Sequence, residues 1–163
     1  MKKIILIGGS PAIGKSDLAM RLSKELNIPW ISTDTIREFL KKLVSRKEYP
    51  DLFYFVKQKP EEYLSEHTPA EIVQDQNKES KDVWRGVMNF IETIESTWEG
   101  VYIVEGVAVL PELVYENYKN DKSVKTIFLV DDNEERIRKA IFTRGLWGDA
   151  DEYSDNVKKK EIQ

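Results

Sequence analysis

The chain opens on an unbroken apolar run, Ile4 to Ile7, closed by Gly8-Gly9. A run without polar alternation predicts a strand over residues 3–7, buried on both faces as in a parallel sheet. Leu18, Ala19, Leu22 and Leu26 then return at helical spacing, which predicts a helix over 15–26 stopped at Asn27 to Pro29. Trp30 to Thr33 reads as a second strand. Thr35, with Glu38 three residues on, has the pattern of a capping box ahead of Ile36, Phe39, Leu40, Leu43 and Val44, a second helix.

Between Tyr49 and Pro69 the period is lost, and the aromatics Tyr49, Phe53, Tyr54, Phe55 and Tyr63 predict short helices packed on the body. A long helical stripe follows from Ile72 to Trp98 and ends at Gly100, interrupted by Gln76 and Ser80. Trp84 and Trp98 read as core, Trp147 as exposed. A third strand over 101–104, a short helix over 111–118, a fourth strand over 124–130 and a helix over 134–144 complete the pattern. Strands alternating with helices imply an α/β three-layer sandwich with a mostly parallel sheet and right-handed crossovers, whose ligands lie beyond the carboxyl ends of the strands. The polar residues at those ends are the Gly9 loop, Asp34, Glu105 and Asp131-Asp132.

One of these loops carries specific chemistry. Gly9-Ser10-Pro11-Ala12-Ile13-Gly14-Lys15-Ser16 matches the phosphate-binding loop, between a buried strand and a helix as its mechanism requires. Its glycines let successive N–H groups turn toward phosphate oxygens, and the helix N-terminus adds its positive dipole end. Lys15, read as an exposed loop lysine, neutralises the β and γ phosphates, and Ser16 offers its hydroxyl to Mg²⁺. Glu105 stands where such proteins keep an acid for the magnesium or its waters.

Asp34 and Arg37, three residues apart, share the first turn of the second helix. The carboxylate can orient or deprotonate an acceptor hydroxyl, and the guanidinium can fork onto a phosphate or carboxylate. The competing structural readings are a helix cap for Asp34 and a surface ion pair for Arg37. Arg136, Arg138 and Arg144 precede Gly145-Leu146-Trp147-Gly148, a segment read as a lid over about 136–150, with Arg144 at its hinge and Arg136 toward the nucleotide. Gln76 and Ser80 are candidate substrate contacts, weighed equally against the plain end of an apolar stripe. His67 reads as a loop residue.

Composition narrows the picture further. The 163 residues fit one domain, with 49–99 as a helical insertion on the substrate side, and 40% hydrophobic with 33% charged residues is a globular balance. The lack of cysteine excludes disulfides and thiolate chemistry and fits a reducing, cytoplasmic setting. A net charge of -4 argues against a nucleic-acid partner, and the first apolar run is too short for a signal or membrane segment. The sequence leaves the oligomeric state open.

Together with the phosphate loop, Ile31-Ser32-Thr33-Asp34-Thr35-Ile36-Arg37-Glu38 and Val104-Glu105-Gly106-Val107 followed by Pro111 resemble the 2-phosphoglycerate kinase-like group of P-loop kinases. The resemblance implies a sheet order 2-3-1-4-5, ATP and Mg²⁺ as cosubstrates, Asp34 and Arg37 as acceptor-side residues, Glu105 as the magnesium-side acid and Arg144 as a lid arginine. Such kinases carry a fifth strand and a last helix after the lid, and Glu152 to Gln163 is too short and polar for both. Either the chain is a truncated form or the sheet stops at four strands. The leading expectation is transfer of the γ-phosphoryl group to a small anionic metabolite. A nucleoside or nucleotide kinase and a non-catalytic ATP-binding switch share the same loop and remain open.

Overall fold

The computed structural model describes residues 3–54, 60–97, 100–144 and 154–163. Four parallel strands, β1 (Lys3–Gly9), β2 (Trp30–Ser32), β3 (Val101–Glu105) and β4 (Val124–Leu129), form a sheet in the order β2-β3-β1-β4. This is the order the resemblance implies for its first four strands, and among the described residues there is no fifth. Leu6 pairs in register with Val104, and Ile7 with Glu105, so β3 ends two residues before β1 does, beside the phosphate loop.

Alternation along β1 divides the core in two. Ile4 and Leu6 point to one face, where α2 (Thr33–Leu43), α4 (Pro69–Thr97) and α5 (Pro111–Tyr118) supply Ile36, Val83, Trp84, Val87 and Leu113. Ile5 and Ile7 point to the other, where α1 (Lys15–Leu26) packs Ala19, Leu18 and Leu22. Helices on both faces make the three layers the strand–helix alternation requires. β4 pairs with β1 alone, and its Ile127 and Phe128 are exposed.

Most helices match their sequence signals, but α2 begins three residues before the capping-box reading, which put the cap at Thr35. Ser32, still extended, takes the cap by accepting the Asp34 N–H at 3.1 Å. Asp34 therefore lies inside the first turn. The aromatic stretch folds as a 3-10 turn (Asp51–Phe53) and α3 (Pro60–Glu66), as expected, while Phe55 lies outside the described residues. The C-terminal tail forms α7 (Asp155–Ile162), which packs on α3 and α6 (Glu134–Arg144), with Val157 beside Tyr63 and Leu64. Trp84 is 4% exposed, as a core residue should be, and Trp98 and Trp147 lie outside the described residues.

Candidate functional site

The phosphate loop runs from the end of β1 into α1 through positive φ at Gly9 (142°), Ala12 (59°) and Gly14 (96°). Such left-handed turns alternate with right-handed ones in the concave backbone that gathers N–H groups around an anion. Gly14 is the residue before α1, and no side chain caps that end, so the helix presents its N–H groups to the loop. Lys15 is 7% exposed, against the exposed loop lysine read from sequence, and its Nζ donates to the Ser10 carbonyl at 2.6 Å. The cation is thus drawn back over the loop.

Ser16, on the first turn of α1, donates its hydroxyl to Glu105 Oε1 at 3.0 Å. Glu105 is 1% exposed, and burial pushes its carboxyl above the usual carboxylate range, against the hydrogen bond from Ser16, the charge of Lys15 and a contact from Ser32. Gly106 lets the chain after β3 lie against the start of α2: at φ 150° its hydrogen faces Thr33, and a Cβ there would lie 1.8 Å from Thr33 Oγ1. The Thr33 hydroxyl is buried without a hydrogen-bond partner among the described residues.

The donor set suits magnesium. Mg²⁺ takes hard oxygen ligands and is held by one or two protein groups plus substrate phosphates and water. One hydroxyl and one carboxylate converge beside the glycine-flanked loop here. Among the described residues no cluster of three or more His, Cys, Asp or Glu side chains could hold a metal unaided.

On α2, Asp34 and Arg37 meet as the sequence spacing anticipates, with Arg37 Nη1 3.2 Å from Asp34 Oδ1. Arg37 also contacts Glu38 Oε1 at 3.1 Å and the buried Glu79 of α4 at 3.7 Å. Its guanidinium stays firmly charged: burial lowers its pKa, but Glu79, Asp34 and Glu38 together outweigh that and raise it. Asp34 is also close enough to act on Glu105 electrostatically, which joins the α2 pair to the loop end of the site.

A cleft of about 900 Å³ opens on the other side of the loop. Gly9 to Gly14 form one wall, Gln76 and Ser80 of α4 another, and Leu129, Asp131 and Arg136 a third. Gln76 and Ser80 therefore share a cleft with the loop rather than with Arg37. Arg136 stands mostly in solvent and pairs with Asp131 at 2.6 Å. Arg138 pairs with Glu134 at 3.4 Å. Arg144 ends α6, but its side chain and the lid residues Gly145 to Gly148 lie outside the described residues. His67 follows α3 and stacks on Tyr63, ring centroids 4.2 Å apart.

Three residues escaped the sequence reading. Ser32 caps α2 and touches Glu105, and its signal was its place in the Ser-Thr-Asp block. Lys41 lies one helical turn beyond Arg37 and 3.6 Å from Glu79. Glu79, at 7% exposure, sits between the two stripe interruptions Gln76 and Ser80, which marked the right stretch of α4.

No family model matches the chain. Among solved structures, TT1252 from Thermus thermophilus superposes loosely, with a TM-score of 0.45 at 18% identity, over 98% of this chain and 78% of that one. Curated proteins align at higher identity. The 2-phosphoglycerate kinase of Methanocaldococcus jannaschii is 31% identical over 152 residues, 87% of this chain and 46% of that protein. That of Methanothermobacter thermautotrophicus is 32% identical over 159 residues, 88% and 48%. That of Methanococcus maripaludis strain C7 is 30% identical over 147 residues, 86% and 46%. The chain thus resembles 2-phosphoglycerate kinases across most of its own length, and spans about half the length of those relatives.

Proposed function

We propose that this chain is the nucleotide-binding part of a small-molecule kinase that uses ATP and magnesium to phosphorylate a hydroxyl of a small phosphorylated acid, of which 2-phosphoglycerate is the first candidate. The observation that carries the reading is the convergence of Ser16 and Glu105 at 3.0 Å beside a phosphate loop, with the Asp34–Arg37 pair next to them. The relatives named above support the choice of acceptor class. A magnesium ion held here would draw charge from the terminal phosphates, aided by one hydroxyl and one carboxylate.

The residues divide the work. Backbone N–H groups of the loop and the Lys15 ammonium hold the polyphosphate of ATP. Arg37 forks onto an anionic group of the acceptor, and Asp34 orients its hydroxyl and takes the proton as the oxygen bonds to the γ phosphorus. The bond from that phosphorus to the β–γ bridging oxygen breaks at the same centre, and ADP leaves with the electron pair. We assign Arg136 to the nucleotide, Arg144 to the lid, and Gln76 and Ser80 to substrate contacts.

ADP release measured with ATP, magnesium and either 2-phosphoglycerate or a panel of nucleosides tests the reading. Turnover well above basal hydrolysis with the phospho-acid alone is expected. Stimulation by a nucleoside instead replaces the acceptor, and ATP binding with no stimulation by any acceptor leaves the switch reading in its place.

A further inference from the structure

A carboxylate inside a protein is expensive unless its partners restore what water gave it. Glu79 is such a group. It lies on the inner face of α4, its side chain 9% exposed, and is flanked by Lys41 at 3.6 Å from Oε1 and Arg37 at 3.7 Å from Oε2. One carboxylate thus addresses two cations, one oxygen to each. Both distances exceed a hydrogen bond; Arg37 Nε and Lys41 Nζ each donate once to Glu38 Oε1, at 3.1 and 3.4 Å, and the other N–H groups of each head keep donor capacity. Burial nonetheless wins, leaving the Glu79 carboxyl above its ordinary range despite both cations. Fold stability gives little reason to keep it.

Arg37 and Lys41 lie four residues apart, so their side chains rise from one face of α2 and lean toward its N-terminus. That end carries Asp34 and adjoins Glu105 and the phosphate loop. Both cations are mostly shielded, Lys41 at 18% and Arg37 at 25% side-chain exposure, whereas Asp34 and Glu38 stand mostly in solvent. Two shielded cations bridged by Glu38 on the solvent side and by Glu79 on the buried side have a spacing suited to two anionic groups of one small molecule.

We infer that Lys41 is a second acceptor-binding cation beside Arg37, and that Glu79 is the positioning residue that spaces the two for an acceptor bearing both a carboxylate and a phosphate. The inference rests on the kinase reading given above and names the charge pattern its acceptor must carry. Arg37 reads one anion through its planar fork, Lys41 the other as a point charge. Glu79 touches neither anion and acts through the two side chains it separates.

Calorimetric binding of three probes, 2-phosphoglycerate, glycerol 2-phosphate and glycerate, tests it on the full chain. The wild type should bind the two-anion probe at least about tenfold more tightly than either single-anion probe, and Lys41→Gln should lose about ten- to a hundredfold on the first. The gap to one single-anion probe should close in Lys41→Gln and survive in Lys41→Arg, which keeps the charge. Glu79→Gln should weaken two-anion binding by about three- to tenfold with no loss of Tm, and raise the acceptor KM more than it lowers kcat. If Lys41→Gln binds 2-phosphoglycerate within about twofold of the wild type, the second-cation assignment is wrong while the kinase reading stands. If Glu79→Gln lowers Tm and leaves affinity intact, Glu79 is structural and the positioning role is overturned. If the wild type binds none of the three probes, the acceptor class and this inference fall together.

Discussion

Ser16 and Glu105 stand 89 residues apart in the chain, and the serine hydroxyl donates to the glutamate at 3.0 Å. A hydroxyl on the first turn of α1 and an acid at the end of β3 are brought together because β1 and β3 pair in parallel, with Glu105 in register with Ile7 just before β1 enters the loop. Glu105→Gln keeps the shape and removes the charge that would favour magnesium. Phosphoryl transfer should fall by about 10²-fold, with a rightward shift in the magnesium concentration needed for half-maximal rate. Unchanged magnesium dependence in that variant would separate Glu105 from the metal.

Lys15 is buried against the loop, so truncating it to alanine would disturb packing as well as charge. Lys15→Met retains the apolar stem and is the cleaner change. It should reduce transfer by at least about 10²-fold at saturating acceptor while the thermal transition stays cooperative. Retained turnover would show that the loop holds phosphate by its backbone alone.

Asp34→Asn keeps the side-chain shape but not the basicity. If Asp34 takes the acceptor proton, kcat should drop by about 10²-fold with the KM for ATP little changed. Arg37→Lys should behave differently, raising acceptor KM by about tenfold because an ammonium does not reproduce the fork. Steady-state kinetics on both variants, with the same acceptor, distinguish a catalytic pair from a surface ion pair, which would leave both constants within about twofold.

Gly106 holds φ 150° with Thr33 Oγ1 in the space a Cβ would take. Gly106→Ala should destabilise the fold by about 2–4 kcal/mol, through backbone strain and overpacking together. Thr33→Ala in the same background should recover only part of the loss, since it removes the hydroxyl and methyl contacts but leaves the residue-33 Cβ 2.8 Å from the new one, and the backbone strain remains. Thermal or urea denaturation measures both, and full recovery would assign the whole effect to Thr33.

Burial raises the Glu79 carboxyl above its ordinary range, against the opposing pull of Arg37 and Lys41, with Asp34 adding to the rise. Tyr54 faces the same group, and its hydroxyl is itself pushed up by burial and by Glu79. A carboxyl raised in the fold favours folding while it is protonated, and that contribution is lost as pH climbs through the folded value. Glu79→Gln is neutral throughout, so its Tm should equal or exceed that of the wild type near neutral pH, with the gap closing as pH falls through the carboxylate range. A variant that melts lower near neutral pH would mean that the ion pairs outweigh the burial.

What the sequence determined by itself was local. The glycine-flanked loop, its strand and its helix were legible because loop conformation depends on residues next to one another: glycines for positive φ, a lysine and a serine at fixed offsets. Helices with strong periodicity or a Pro start, such as 15–26, 111–118 and 134–144, had the observed bounds for the same reason. The α2 start was misplaced because Thr35-Glu38 and Ser32 offer rival caps, and only the end of β2 decides between them. The burial of Lys15, the meeting of Ser16 with Glu105 and the grip of Glu79 on Arg37 and Lys41 belong to the tertiary structure. Each depends on which strands are neighbours and which face of α4 turns inward, and charge at those positions is worth what its burial and its distant partners make it.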